Sequence, residues 1–226
     1  MKKNLALIIF LSCWAVFVAA LLVAILCTDQ GALHQMLTLG YLSNYGDMGV
    51  RLHDAFFRYA TELGASVPFV VGGLLLFYRV GAGLLVLLSQ GVTALVVYPI
   101  KVLIAAPRPS RFFAEHFPDV VLHHVDGVRL HQMYSFPSGH TAAVFSLMLC
   151  LTFICIKKAW TAPLFFVLAM IGAYSRIYLS QHFAEDVCAG AAVGVVATLL
   201  TAFFYYRYPQ QWEQQSLQRL IIPKRK

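Results

Sequence analysis

The sequence is poor in charged residues. Only 12% of its 226 residues are charged, whereas a soluble domain carries about 25%. Its 60% of hydrophobic residues exceeds what one soluble core needs, so we expect an integral membrane protein. The net charge of +7 comes without the clustered basic stripe of a nucleic-acid-binding surface, which argues against nucleic acid as a partner.

Metal-ligand and disulfide patterns are also missing. The cysteines have no CxxC or Cys/His spacing and lie in or beside apolar segments, so we interpret them as small hydrophobic residues without disulfide bonds. Four histidines in the segment 105–137 lack ligand spacing and are predicted to be solvated loop residues: His116, His123, His124 and His131. No metal or other cofactor is predicted.

Apolar runs approach the ~20 residues needed to cross a bilayer. The second run is short and contains Pro68, and an extension back into the mixed segment 51–62 is an alternative. The first is too long for a signal peptide, so we expect it to be retained. The predicted fold class is all-α, a single-domain integral membrane bundle over 1–226. Its six predicted transmembrane helices are 5–27, 63–78, 81–104, 139–156, 160–178 and 183–206.

The Lys and Arg residues that flank these runs predict the orientation. Those in the short flanks fall on one side, which the positive-inside rule makes cytoplasmic together with both termini and the tail 207–226. They are Lys2, Lys3, Arg79, Lys157, Lys158, Arg207, Arg219, Lys224, Arg225 and Lys226. The segments 28–62 and 105–137 then face outward. We expect a multi-pass protein of a bacterial inner (plasma) membrane with an extracytoplasmic active site. Its oligomeric state is left open.

Two further patterns concern packing. The segment 48–63 mixes aromatic and charged residues, which is typical of an amphipathic helix lying in the membrane interface or of a helix packing on the bundle. The pair Gly190 and Gly194 forms a GxxxG pattern that lets a neighbouring helix approach closely.

A short polar interval, 175–186, separates the last two apolar runs. His182 and Asp186 stand four residues apart, a spacing that predicts one helix face. The carboxylate then accepts the imidazole N–H and prepares the histidine for nucleophilic or base chemistry. Alternatively, these residues and Arg176 anchor a helix end at the membrane boundary.

More cations are predicted at the same surface. Lys101 ends the third apolar run and Arg108 follows it, although a lysine there also fits simple snorkelling. Ser138 and Gly139 precede the fourth run, where free backbone N–H groups at a helix N-terminus bind anions. Three cations with such a terminus call for a ligand with several negative charges, and phosphate fits better than a carboxylate.

These three stretches resemble a known family. The patterns K-x6-RP at 101–109, PSGH at 137–140 and SR-x5-H-x3-D at 175–186 are similar to the signature motifs of the type 2 phosphatidic acid phosphatase (PAP2) superfamily. Their order, internal spacing and position relative to the predicted spans all match. Ser180 and Gln181 are less typical of that family than a glycine would be.

The resemblance implies a role for each matched residue. His182 would attack phosphorus to form a phosphohistidine, Asp186 would orient it and His140 would protonate the leaving oxygen. The implied phosphate ligands are Lys101, Arg108, Ser138, Gly139 and Arg176. No metal is implied, because the cations supply the positive field that Mg²⁺ supplies elsewhere. Two histidines with opposite protonation predict a bell-shaped pH profile.

The function predicted from this resemblance is hydrolysis of a lipid phosphomonoester or diphosphate. Candidate substrates are a polyprenyl diphosphate, phosphatidylglycerophosphate, phosphatidic acid and a lipid A phosphate. One alternative is a phosphotransferase that passes the phosphoryl group from the same site to a lipid hydroxyl. A distant alternative is a transporter, which needs polar residues at mid-membrane depth beyond Ser89, Gln90 and Thr93.

Overall fold

The structure is a computed structural model that describes residues 4–42, 45–208 and 214–217. The described residues form α-helices and no β-strand, which confirms the predicted all-α fold. The helices are α1 (Leu5–Cys27), α2 (Gln30–Leu42), α3 (Asp47–Ala60), α4 (Val67–Tyr78), α5 (Val80–Ile104), α6 (Pro109–His116), α7 (Gly139–Ile154), α8 (Thr161–Tyr178) and α9 (Ala184–Arg207).

Four helices in the described chain are long and apolar enough to cross a membrane: α1, α5, α8 and α9. A fifth span results if α4 is taken with the preceding segment Asp47–Gly64, from which it is bent by 52°. The remaining apolar helix, α7, is shorter. The prediction of six spans therefore stays a prediction, while the chain has four or five apolar helices of spanning length.

The second predicted run, 63–78, begins too early. Thr61–Gly64 forms a 3-10 turn, and α4 starts at Val67 with Pro68 in its first turn. Proline is tolerated there because the first helical N–H groups have no intrahelical acceptor. Most of the predicted tail 207–226 lies outside the described residues.

The helix α7 lies in the centre of the bundle and is buried along most of its length. It packs on α9 through the GxxxG pair. A Cβ at Gly190 would lie 2.5 Å from the Ser138 carbonyl oxygen, and one at Gly194 would lie 2.2 Å from that of Ala142. Both distances are shorter than atomic contact permits, so the predicted role of these glycines in close helix packing is confirmed.

Neutral polar side chains also join the central helices. Gln90 of α5 and Thr198 of α9 both donate hydrogen bonds to the Ser146 hydroxyl of α7, at 3.3 and 2.8 Å. These bonds link one helix to the next, as polar side chains do in membrane bundles. Two of the three polar residues noted in the sequence, Ser89 and Thr93, are buried beside them.

The helix α3 packs on the bundle. Its Phe57 ring is buried and stacks at a tilt on Tyr178 of α8, with 4.4 Å between ring centroids. Val125, from the segment that follows α6, joins the same cluster. The interpretation of the segment 48–63 as a helix packing on the bundle is therefore confirmed, and its position in a membrane interface stays a prediction.

The antiparallel helices bring all three motifs to one end of the bundle. The C-terminal ends of α5 and α8 lie there beside the N-terminal ends of α7 and α9. Arg79, Lys157 and Lys158 lie at the opposite end, where they line a cavity of about 720 Å³. These three basic residues thus share one end, as the sequence predicts, whereas Lys2, Lys3 and the basic residues of 218–226 lie outside the described residues. The side of the membrane stays a prediction.

Candidate active site

His182 and Asp186 are in contact, but not on one helix face. The helix α9 begins at Ala184, so His182 lies in the turn before it. Asp186 folds back over the helix N-terminus, where its Oδ2 accepts the Phe183 N–H at 2.8 Å and lies 3.3 Å from His182 Nδ1. The prediction of a shared helix face is wrong, because a capping interaction makes the contact instead.

Ser135 is a third member of this group. Its hydroxyl donates to Asp186 Oδ2 at 2.5 Å and lies 3.4 Å from His182 Nδ1. The sequence analysis did not include Ser135 among the site residues, although it adjoins the PSGH motif. The Asp186 carboxylate therefore accepts hydrogen bonds from two segments of the chain, and His182 Nε2 is left as the nitrogen for reaction.

The environment of His182 favours the neutral ring. The side chain is only 1% exposed. Burial lowers the pKa of His182 well below its ordinary value, and the positive charges of Arg176, Arg108 and Lys101 lower it further. A neutral imidazole at pH 7 is the form that can act as a nucleophile.

Main-chain carbonyl groups hold two of the cations. Lys101 Nζ donates to the carbonyl oxygens of Tyr134 and Ser135, at 2.7 and 3.2 Å. Arg108 Nε donates to the Met133 carbonyl at 2.9 Å, and its Nη1 bonds the carbonyl oxygen of Gln181 at 3.1 Å. Lys101 and Arg108 are only half-buried, so both retain access from the exterior.

Arg176 is held differently. It lies in the last turn of α8, is 6% exposed, and donates from Nη1 to the Thr61 hydroxyl at 2.6 Å. Its Nε is buried and has no hydrogen-bond acceptor among the described residues. A buried guanidinium with an unpaired N–H is costly unless an anion completes its hydrogen bonds. Thr61 lies more than a hundred residues away in sequence, and sequence reasoning missed it.

The N-terminus of α7 contributes less backbone than predicted. The Ser138 N–H donates to the Asp186 carbonyl at 2.9 Å, so the prediction that it is free for an anion is wrong. The Ser138 hydroxyl accepts from Thr141 Oγ1 at 2.9 Å and from the Thr141 N–H at 3.4 Å. Its own proton stays available for donation. Gly139 lies beside Lys101, with 3.8 Å between a Cβ built on the glycine and Lys101 Cε.

His140 follows in the first turn of α7 and is half-buried. Its main chain packs on the 3-10 turn Thr61–Gly64, where a Cβ at Gly64 would lie 2.2 Å from the His140 carbonyl oxygen. That glycine therefore permits the close approach of the turn that also carries Thr61. The same turn thus supports His140 and Arg176.

An apolar groove of about 280 Å³ leads away from this end of the bundle. Lys101 and Gly139 lie at its polar end, and Gln90, Thr93 and Phe69 line it further along. Gln90 precedes Lys101 by eleven residues of α5, which corresponds to about 16 Å of helix. The lining comes from α4, α5 and α7, and it is mostly apolar.

The histidines outside the motifs do not form a metal site. Among the described residues, no three His, Cys, Asp or Glu side chains are grouped to hold a metal ion. His116, His124 and His131 are exposed, as predicted. His123 is not solvated: its Nε2 lies 2.7 Å from Asp54 Oδ1, and their side chains are 13% and 22% exposed.

His34 of α2 is a buried residue that the sequence analysis left unassigned. It is 1% exposed, its ring centroid lies 5.4 Å from that of Phe183, and its Nε2 lies 3.4 Å from the Ser180 hydroxyl. Burial lowers the pKa of His34 to about 4. This histidine therefore packs neutral against the turn that carries His182.

Backbone strain is concentrated at this end of the bundle. In the described chain, three residues other than glycine have positive φ angles, namely Ala105 at 46°, Tyr134 at 61° and Ser180 at 50°. Each lies within or beside one of the three motifs. A left-handed conformation costs about 1–2 kcal/mol for such residues, and strain of this kind is typical of functional sites.

Comparison with known proteins assigns the family. The family model described as PAP2 superfamily matches residues 82–212, which is more than half of the chain. The chain belongs to the PAP2 superfamily. All three motifs lie within the matched region, so the resemblance inferred from them is confirmed.

The names of this chain's relatives refer to different substrates. The chain is 31% identical over 158 residues to phosphatidylglycerophosphatase B of Bacillus subtilis, a match that covers 64% of this chain and 71% of the relative. It is 34% identical over 108 residues to a lipid A 4'-phosphatase of Porphyromonas gingivalis, covering 47% and 45%. Several curated relatives are matched over less than half of their own length.

A solved structure shares the fold. The PAP2-type phosphatidylglycerolphosphate phosphatase from B. subtilis superimposes with a TM-score of 0.60 at 24% identity, covering 92% of this chain and 99% of that one. At this identity the likeness concerns the fold alone. In this chain Ser180 has a left-handed φ of 50°, a conformation that glycine adopts without steric cost.

Proposed function

We propose that this PAP2 protein is a membrane phosphatase that hydrolyses a lipid phosphomonoester or diphosphate through a phosphohistidine. The observation that carries the proposal is a buried histidine, neutral at pH 7 and paired with a carboxylate, beside three cations. One of these cations, Arg176, has a buried N–H without an acceptor among the described residues. Such a site favours a neutral nucleophile and an anionic substrate together.

In the first step, His182 Nε2 attacks phosphorus and a P–N bond forms as the P–O bond of the ester breaks. The leaving oxygen takes a proton from His140, whose protonated form the bound dianionic phosphate group favours. Asp186 stabilises the positive charge that develops on the His182 ring. In the second step, water gives up a proton to His140 and attacks phosphorus. Phosphate leaves, and His182 returns to its neutral form.

Phosphate binding is assigned to Lys101, Arg108, Arg176, the Ser138 hydroxyl and the Gly139 amide. The three cations supply a positive field around the phosphoryl oxygens and stabilise charge in the transition state. We propose on this ground that the reaction needs no metal ion. The N-terminal end of α7 adds the favourable helix dipole.

The apolar groove supports a lipid substrate. It begins at Lys101 and Gly139 and follows α5 among apolar side chains, which suits an acyl or prenyl chain attached to a phosphate at the cation end. The substrate class includes phosphatidylglycerophosphate, lipid A phosphate, phosphatidic acid and polyprenyl diphosphate. We place the reaction at the outer surface of a bacterial inner membrane in a six-span bundle, because Arg79, Lys157 and Lys158 of the short flanks lie at the opposite end.

The test is phosphate release by the detergent-solubilised protein against this panel of lipids. His182→Ala should reduce release by at least about 10⁴-fold and abolish any acid-labile phosphoenzyme, whereas His124→Ala, at an exposed loop histidine, should leave both unchanged. Orthovanadate, a phosphate mimic, should inhibit. Turnover retained in His182→Ala would rule out the mechanism, and phosphate found on a second lipid rather than free would identify a phosphotransferase instead.

A further inference from the structure

Gln181 stands directly before His182 and takes no part in the proposed mechanism. Its side chain is only 1% exposed. The N–H groups of Gln181 and His182 both donate to the Arg176 carbonyl oxygen, at 3.0 and 3.1 Å. These two hydrogen bonds hold the main chain of the turn in place. They therefore also set the position of the Gln181 Cα, from which the side chain extends.

The Gln181 side chain connects two parts of the site. Its Oε1 accepts a hydrogen bond from Arg108 Nη1 at 3.0 Å, and its Nε2 donates to the Arg129 carbonyl at 3.0 Å. A carboxamide can do both, because it carries an acceptor and a donor. A methionine of similar length makes neither bond, and asparagine is one methylene too short to span the same distance.

These contacts account for three of the five N–H groups of Arg108. Its Nε donates to Met133, and its Nη1 donates to the main-chain and side-chain oxygens of Gln181. Because the guanidinium is planar, bonds at Nε and Nη1 fix the orientation of the whole group. The two N–H groups of Nη2 are bonded to no acceptor in the part of the chain that the structure describes.

We propose that Gln181 is a positioning residue that holds the Arg108 guanidinium with its Nη2 edge free for a phosphoryl oxygen. The proposal rests on the proposed function, in which Arg108 binds phosphate. A flexible arginine loses side-chain entropy when it binds an anion. Gln181 fixes the side chain beforehand, so less of that entropy is lost at substrate binding.

The test is a double-mutant cycle on Gln181 and Arg108, with the inhibition constant of orthovanadate and kcat/KM as readouts. Gln181→Met should weaken vanadate binding and lower kcat/KM about tenfold in the otherwise native protein, as expected for the loss of a hydrogen bond to a charged group. In an Arg108→Ala background, Gln181→Met should change both readouts less than about twofold, since the guanidinium that Gln181 positions is absent. Equal effects in both backgrounds, or no effect in the native background, would overturn the proposal.

A matched control separates positioning from stability. Thr198→Ala removes a buried polar side chain of α9 whose hydroxyl bonds Ser146, about 18 Å along the helix from Asp186. It should lower the unfolding temperature in detergent without changing vanadate binding. If Gln181→Met does not fold, Gln181→Asn keeps the amide and is measured in the same two backgrounds under the same criterion.

The two proposals fail in different ways. If Arg108→Ala leaves phosphate release and vanadate inhibition intact, the proposed phosphate site is wrong. If Arg108→Ala lowers kcat/KM by about 100-fold or more while neither Gln181 variant has any effect, the phosphate site stands and only the positioning role of Gln181 is excluded.

Discussion

The two halves of the candidate site are held in place by different kinds of contact. His182 and Asp186 are each 1% exposed and are joined to Ser135 and to the α9 cap by side-chain hydrogen bonds. Lys101 and Arg108 are half-buried and donate mainly to main-chain carbonyl groups of the segment 133–135 and of Gln181. Arg108 donates also to the Gln181 side chain. Side-chain hydrogen bonds at the N-terminus of α9 thus hold the nucleophile, whereas these two cations depend chiefly on main-chain carbonyl groups. We expect changes in the first half to alter kcat and changes in the second to alter substrate binding.

The largest effect expected in this comparison is on the cation half. Lys101→Met keeps the length of the side chain and removes its charge, so KM and the vanadate inhibition constant should rise about 30-fold, in line with the loss of a charge-assisted hydrogen bond. The change in kcat should be smaller. Steady-state kinetics on the lipid substrate would measure this split.

Lys158→Met provides the control for that variant. Lys158 lines the cavity at the opposite end of the bundle, and its loss should leave KM and vanadate inhibition unchanged. If both lysine variants raise KM and the vanadate inhibition constant equally, the net charge of the protein, and not the Lys101 side chain in the site, attracts the substrate.

A smaller effect is expected in the nucleophile half. Ser135→Ala removes the hydroxyl that donates to Asp186 Oδ2, so kcat should fall about tenfold while KM changes less than threefold. Ser135→Thr keeps the hydroxyl and should recover most of kcat. Ser110→Ala, which removes a hydroxyl bonded to the His131 carbonyl in the same outer segment, should have no effect. A rise in KM without a fall in kcat would contradict the division between the two halves.

Substitution of His34 is expected to have the smallest effect on activity. It should instead change how the stability of the protein depends on pH. The His34 folded-state pKa of about 4 lies below the ordinary value near 6.5, so the unfolded chain binds a proton first as the pH falls. The stability from its neutral burial is complete above about pH 6.5 and is lost as the pH falls towards 4. At pH 5 the loss is about 2 kcal/mol.

Thermal unfolding in detergent at pH 7.5 and 5 would measure this effect. His34→Leu should reduce the difference in unfolding temperature between the two pH values, and His124→Leu, at an exposed histidine, should leave it as in the native protein. An unchanged difference in His34→Leu would show that His34 does not titrate in this range.

Much of the site could be predicted from residue type and spacing. The three motifs place Lys101, Arg108, Arg176 and the His182–Asp186 pair at the ends of apolar segments, and the structure brings them to one end of the bundle. The mode of the His182–Asp186 contact was predicted wrongly. An i, i+4 spacing fits both a helix face and a carboxylate folded over a helix N-terminus, and only the start of α9 at Ala184 distinguishes the two.

Other residues left little signal in the sequence. Thr61 reaches Arg176 from a 3-10 turn, and Gln181 reaches both Arg108 and the Arg129 carbonyl. His123 was predicted to be solvated, but it pairs with Asp54 of α3. Each of these contacts joins distant segments, so no local pattern specifies it.

The sequence by itself determined the all-α fold, the apolar segments, the close contact at Gly190 and Gly194, and the family. These features follow from hydrophobic content, from the absence of a side chain and from the spacing of the motifs. Only the tertiary structure decided which groups hold the cations. Lys101 and Arg108 bond main-chain carbonyl oxygens, which every residue carries. These main-chain contacts therefore depend on where the outer segment lies in space, whereas the bond from Arg108 to the Gln181 side chain also depends on the type of residue.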